Sequence, residues 1–174
     1  MAYTSSQIVQ AVPTGINSAL VLVKSQVIGT TVSSVTVTNA FSATYNTYKI
    51  IINGGVGSTA QNLLLTVGAT VTNYKTQIVF SDFNNTTATS IGTTTGTTFK
   101  NAGTHNTTSL NLNLELDNPF LAEQTVMRTL WANTGADFAI GILDNTTSYT
   151  DFTIAPTTGT ITGGTIFVYG YAIS

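Results

Sequence analysis

The chain has 174 residues, with 5 Lys and Arg, 7 Asp and Glu, one His and no Cys, and a formal net charge of −2. Only 7% of residues are charged, against about 25% in an average soluble domain. Five dispersed cations cannot neutralise a run of phosphates, the missing thiols exclude a disulfide-stapled or Cys-ligated zinc domain, and 42% hydrophobic residues are too many for a disordered chain.

The first 18 residues differ from the rest. Ser5 to Val12 could form one or two helical turns with Ser5 as N-cap, and Pro13-Thr14-Gly15 then breaks the chain. Residues 1–18 are therefore expected to be an arm, with Ile8, Val9 and Val12 as candidate anchors to a larger particle. The competing reading is a disordered terminus. The start lacks a basic n-region and an apolar h-region, so no secretory signal is expected. No apolar run approaches the roughly 18 residues of a membrane helix, so no membrane insertion is expected.

Residues 19–174 read as a single domain. Thr fills about a fifth of the chain, and the β-branched Thr, Val and Ile favour strands. Turn residues recur about every 8–12 positions, the rhythm of an all-β sandwich or barrel. Strands are expected near 19–25, 29–39, 45–53, 61–68, 73–80, 89–99, 108–117, 124–133, 136–143, 150–155 and 160–172. Gly54-Gly55, Asp144-Asn145 and Gly163-Gly164 are turn points. The Thr-rich stretch 86–98 is either a hairpin with a Gly turn or a mobile loop.

His105 lies in Gly103-Thr104-His105-Asn106-Thr107, read as an exposed loop. With no Cys and no Gly-x-Ser-x-Gly elbow, this one His has no nucleophile to serve. In Ser109 to Asp117 all four Leu fall on one face and Asn, Glu and Asp on the other, the mark of an antiparallel strand with one wet side. Glu115 and Asp117 are neighbours on that side. They could bind Ca²⁺ or act as acid and base, but a solvated strand face is the favoured reading. Arg128 and Trp131 fall on opposite faces of one strand, read as surface Arg and core Trp.

The last strand, Thr165 to Tyr171, is apolar on both faces, with Ile166 and Val168 on one and Phe167, Tyr169 and Tyr171 on the other. Either both sides are covered within one sandwich, or Phe167, Tyr169 and Tyr171 form a subunit interface. Charged residues normally guard sheet edges, and their scarcity here favours the interface.

Three stretches resemble a family of small tailed-phage virion structural proteins. The first runs from Leu20 through Val32-Ser33-Ser34-Val35-Thr36-Val37 to Phe41-Ser42-Ala43-Thr44-Tyr45-Asn46-Thr47-Tyr48 and the apolar Ile50 to Ile52. The second is Leu63-Leu64-Leu65-Thr66-Val67-Gly68 followed by Tyr74, where relatives often carry a double Tyr and this chain has Tyr74-Lys75. The third is Gly163-Gly164-Thr165-Ile166-Phe167-Val168-Tyr169-Gly170-Tyr171, similar to a G-G-T-I-x-V-Y-G-Y ending; relatives often have a cation where this chain has Phe167. The resemblance implies an all-β, antiparallel, jelly-roll-like sandwich that forms a homotrimer on the virion. Its arm would join other virion proteins, and its loops would face the host surface, a glycan or a protein. It implies no catalytic residue, no cofactor and no metal. A tail fibre or knob is placed ahead of a capsid decoration protein, and both ahead of a glycan-binding or glycan-cleaving adhesin.

Overall fold

The computed structural model describes residues 20–132 and 135–172; the candidate anchors Ile8, Val9 and Val12, and the arm they belong to, lie outside these. Fifteen strands follow in chain order: β1 Leu20–Val27, β2 Val35–Val37, β3 Thr47–Asn53, β4 Val56–Gly57, β5 Gln61–Val67, β6 Tyr74–Asp82, β7 Thr89–Gly96 and β8 Phe99–His105. They continue with β9 Leu110–Asn111, β10 Asn113–Asp117, β11 Thr125–Ala132, β12 Gly135–Leu143, β13 Phe152–Pro156, β14 Ile161–Thr162 and β15 Thr165–Tyr171. The fold is an all-β antiparallel sandwich.

The large sheet has the order β1-β15-β3-β10-β11-β12-β6-β7 and the small one β2-β13-β5-β8-β9. The quartets β1-β15-β3-β10 and β2-β13-β5-β8 interleave as two Greek keys, the order of a jelly roll. The hairpins β6–β7 and β11–β12 add four further strands to one side of the large sheet. Alternation puts one face of each strand inward: Tyr48, Ile50 and Ile52 from β3, Leu114 and Leu116 from β10, and Leu63, Leu65 and Val67 from β5 are all buried.

The stretch 108–117 is two strands rather than one. Leu110, Leu112, Leu114 and Leu116 are all buried, as the alternation requires. However, β9 pairs with β8 in the small sheet and β10 with β3 and β11 in the large one. The chain changes sheets at Leu112, as corner strands of a sandwich do. The expected strand 29–39 shrinks to β2, because Thr31 and Asn39 take positive φ and only Val32 makes a further bridge, to Ile161. The expected strand 160–172 is split by Gly163 and Gly164, which face Gly54 and Gly55 across a shared bend; all four have positive φ. There β3–β4 and β14–β15 leave the large sheet together, and β14 and β4 form a two-stranded sheet of their own.

The Thr-rich stretch is an edge strand, β7, followed by β8, which sequence reading did not expect. Beyond the buried Phe99 at its start, β8 buries small or polar residues (Ala102, Gly103, Thr104 and His105), so it carries no alternating apolar signal. His105 is thus corrected from exposed loop to core: it is fully buried, paired with Gln61 and Leu110, and its ring fills the space where a Cβ of Gly57 would sit.

The edges need no charge to guard them. The small sheet ends in β2 and β9, of three and two residues, and the register shifts at Leu22/Lys24 in β1 and opposite β7 at Tyr74/Thr76. Short and bulged edges resist further pairing. The scarcity of Lys is therefore no argument for buried edges, and the case for assembly has to rest on a sheet face.

Candidate functional site

The outer face of the large sheet carries that case. One registered row crosses all eight strands: Leu22, Tyr169, Lys49, Glu115, Arg128, Ile140, Gln77 and Gly92. On either side of this row, alternation turns further apolar side chains outward. Leu130 is 65% exposed, Phe138 43% and Tyr171 37%, and Leu22 within the row 53%. Single exposed apolar residues are ordinary, but a contiguous set marks an interaction surface.

Phe167, Tyr169 and Tyr171 all lie on this face, and the Phe167 and Tyr169 rings stack at 6.4 Å. Opposite them Ile166 and Val168 are fully buried in the core. The outward side of β15 is only partly covered, so one sandwich does not bury both sides of this strand. Gly170 faces inward beneath the Tyr45 ring, where a Cβ would collide. A side chain of the same domain therefore needs this glycine.

A charge network sits in the middle of the face. Arg128 meets Asp117 at 2.5 Å and Glu115 at 3.8 Å, and Lys49 meets Glu115 at 3.7 Å. The Thr47 hydroxyl donates to Asp117 at 3.0 Å and the Tyr171 hydroxyl to Glu115 at 2.5 Å. Hydrogen bonding to Glu115 holds the Tyr171 phenol above its usual range, and the Asp117 contact raises Arg128. All four oxygens of Glu115 and Asp117 are thereby engaged. A Ca²⁺ ion or a proton-transfer role would have to displace these partners. Two cations and two carboxylates cancel, so the middle of the face carries no net charge.

Between β3, β10, β11 and β12, Lys49, Glu115 and Arg128 of this network line a shallow depression of about 430 Å³ with Leu130 and Phe138. Arg128 is exposed and Trp131 buried, on opposite sides of β11. Sequence reading singled out only the last strand for two apolar faces. The same signal is present in β12, where Phe138, Ile140 and Ile142 alternate with the inward Ala139, Gly141 and Leu143.

Among the described residues no group of three or more His, Cys, Asp or Glu is placed to hold a metal ion, and no helix is long and apolar enough to cross a membrane. Compared with known proteins, the chain matches no family model, no curated protein and no solved structure.

Proposed function

We propose that the chain is a non-enzymatic structural protein of a tailed-phage particle, assembling as a homotrimer through the outer face of its large sheet. The observation that carries the assembly is that face: outward apolar side chains on both sides of a charge-balanced centre. A partner selected by charge needs a net field of opposite sign, and this face has none to offer. Copies of the same chain meet it without repulsion. The engaged carboxylates of Glu115 and Asp117 and the buried imidazole of His105 support the non-enzymatic reading.

The virion context and the number three come from the resemblance carried by Phe41 to Tyr48 and Gly163 to Tyr171. In this reading residues 1–18 attach the trimer to other virion proteins, with Ile8, Val9 and Val12 as the apolar contacts, and the loops face the host surface. A tail fibre or knob is preferred to a capsid decoration protein. Particles assembled with a chain lacking residues 1–18 test the attachment. The expected result is a folded protein that fails to incorporate; incorporation at the normal level would refute the anchor. A map of the particle places the trimer at tail or head, and its absence from the particle would overturn the reading.

A further inference from the structure

His105 lies at the seam between the small sheet and the corner where β3–β4 and β14–β15 leave the large one. Only two residues long, β4 stands between Gly54-Gly55 and the exposed Ser58, Thr59 and Ala60. It pairs with β14 on one side, and on the other the Gly57 N–H donates to the Asn106 carbonyl at 2.7 Å. The imidazole packs so closely against Gly57 that a Cβ there would collide with Nδ1, Cγ and Cε1. Residue 57 has to be glycine for β4 to close over the ring.

The ring is fully buried, and neither of its nitrogens makes a hydrogen bond among the described residues. Residues 28–37, 54–67, 103–113 and 157–164 supply β2, β4, β5, β9, β14 and the loops around them, and His105 is the one titratable side chain in all of them. Within β8 itself the one charge is the exposed Lys100, near the other end of the strand. At this end of the large sheet β3 and β15 turn Ile52 and Ile166 inward; the inward phenol of β3, Tyr48, is near its far end and bonded to Ser42. β10 and β11 turn no titratable side chain inward. Asp82 of β6 and Asp137 of β12 do not act on the ring: burial lowers its pKa, and the Thr59 backbone offsets this only in part. No carboxylate therefore receives a protonated imidazole here. Protonation adds a charge and a second N–H donor, and both have to reach water.

β8 is paired on both sides at His105, with Gln61 of β5 and Leu110 of β9, so neither neighbour yields without opening the small sheet. β4 is tied to this end of β8 by the bond from Gly57 to Asn106. Gly54, Gly55, Gly163 and Gly164, all at positive φ, stand where β4 and β14 meet the large sheet, and glycine has the backbone freedom that a hinge uses. We propose that residues 54–60 form an acid-operated latch, closed over the neutral His105 ring and released from the end of β8 when the ring takes up a proton. Release breaks the Gly57–Asn106 bond and lets water reach both ring nitrogens. In the open form the imidazole has its ordinary pKa, near 6.5, and in the closed form a lower one. The latch is therefore shut above about pH 6.5, and opening gains up to about tenfold per pH unit below it, down to the closed-state value. It stands apart from the outer sheet face and does not depend on the virion reading.

The chain has one His, so a single imidazole signal in the NMR spectrum reports on the latch. The test follows that signal and the exchange of individual amides, corrected for intrinsic rates, in the full chain between about pH 7.5 and 5.5. The imidazole should titrate with a midpoint below about 6.5. The Gly57 amide should exchange about tenfold or more faster than that of Leu114 in the core, and its protection should fall by up to about tenfold between about pH 6.5 and 5.5. In His105→Gln the protection of Gly57 should not change with pH. Protection of Gly57 that stays flat in the wild type, that equals the protection of Leu114, or that keeps its slope in the variant would overturn the proposal. So would an imidazole midpoint at or above about 6.5. The wild-type readings decide the question even where the variant does not fold.

Discussion

Tyr48 and Tyr74 are two fully buried phenols that do the same work at two corners. The Tyr48 hydroxyl accepts from the Ser42 N–H at 2.8 Å and donates to the Ser42 carbonyl at 2.9 Å. The Tyr74 hydroxyl accepts from the Val67 N–H at 2.8 Å, and burial pushes its pKa up to about 12. Tyr48 pins the loop before β3, and Tyr74 pins the end of β5. Tyr48→Phe should therefore cost about 1–3 kcal/mol, the price of a stranded polar group, read from urea unfolding; an unchanged midpoint would contradict the role. This also gives the Phe41 to Tyr48 motif a physical meaning. Phe41 packs edge-on to Tyr48 and stacks on Phe152, Ser42 is the Tyr48 partner, and Tyr45 covers Gly170. The motif residues were visible in the sequence, but they hold the fold together and are not a binding site.

His105 makes a second prediction at this scale. Both its ring nitrogens are buried without a hydrogen-bond partner, and burial lowers its pKa below the usual value near 6.5. The unfolded chain therefore binds the proton more readily than the folded one. Its contribution is intact above about pH 6.5 and is lost as the pH falls toward the folded value. Urea midpoints of the wild type should drop between about pH 7.5 and pH 5.5, with a shallower drop in His105→Gln. Equal slopes would contradict this. The sequence hid the burial of His105 because the part of β8 before it, Ala102 to Thr104, is buried through small residues.

Among elements, the strands with strong alternation were legible within a few residues: β3, β5, β6, β11, β12 and β13 follow from their apolar periods. What alternation could not reveal is where a strand changes sheet. The four Leu of 110–116 keep one phase throughout, yet they serve two sheets because the core lies inside the corner they turn. Leu114→Ala should cost about 2–5 kcal/mol as a cavity in the large sheet's inner face, measured by denaturant unfolding; a loss below 1 kcal/mol would mean that the site is loosely packed. The glycine bend gives a ranked prediction. Gly163 and Gly164 both hold positive φ, but a Cβ on Gly163 meets only the Gly55 Cα at 3.9 Å, an ordinary contact, whereas one on Gly164 meets the Gly54 carbonyl. Gly164→Ala should therefore lower the melting temperature more than Gly163→Ala, and the reverse order would contradict the paired bend.

The whole molecule is a jelly roll with one face of its larger sheet left apolar. The low charge content first excluded whole classes of protein; the fold gives it a location. Lys49, Arg128, Glu115 and Asp117 are gathered at the centre of that face and cancel there, while outward Leu22, Leu130, Phe138, Ile140 and Tyr171 lie around them. Sequence reading found the apolar part of this face only at Phe167, Tyr169 and Tyr171. The other strands that build it join β15 through long-range pairings that no local pattern shows. The central claim is that copies of the chain cover this face. Sedimentation velocity of the wild type and of the Leu130→Glu/Phe138→Glu double variant tests it most directly, because both side chains point outward and their replacement leaves the core intact. The wild type should sediment as a trimer at micromolar concentration and the variant as a monomer with an unchanged circular dichroism spectrum. A monomeric wild type, or a variant that remains a trimer, would contradict the account.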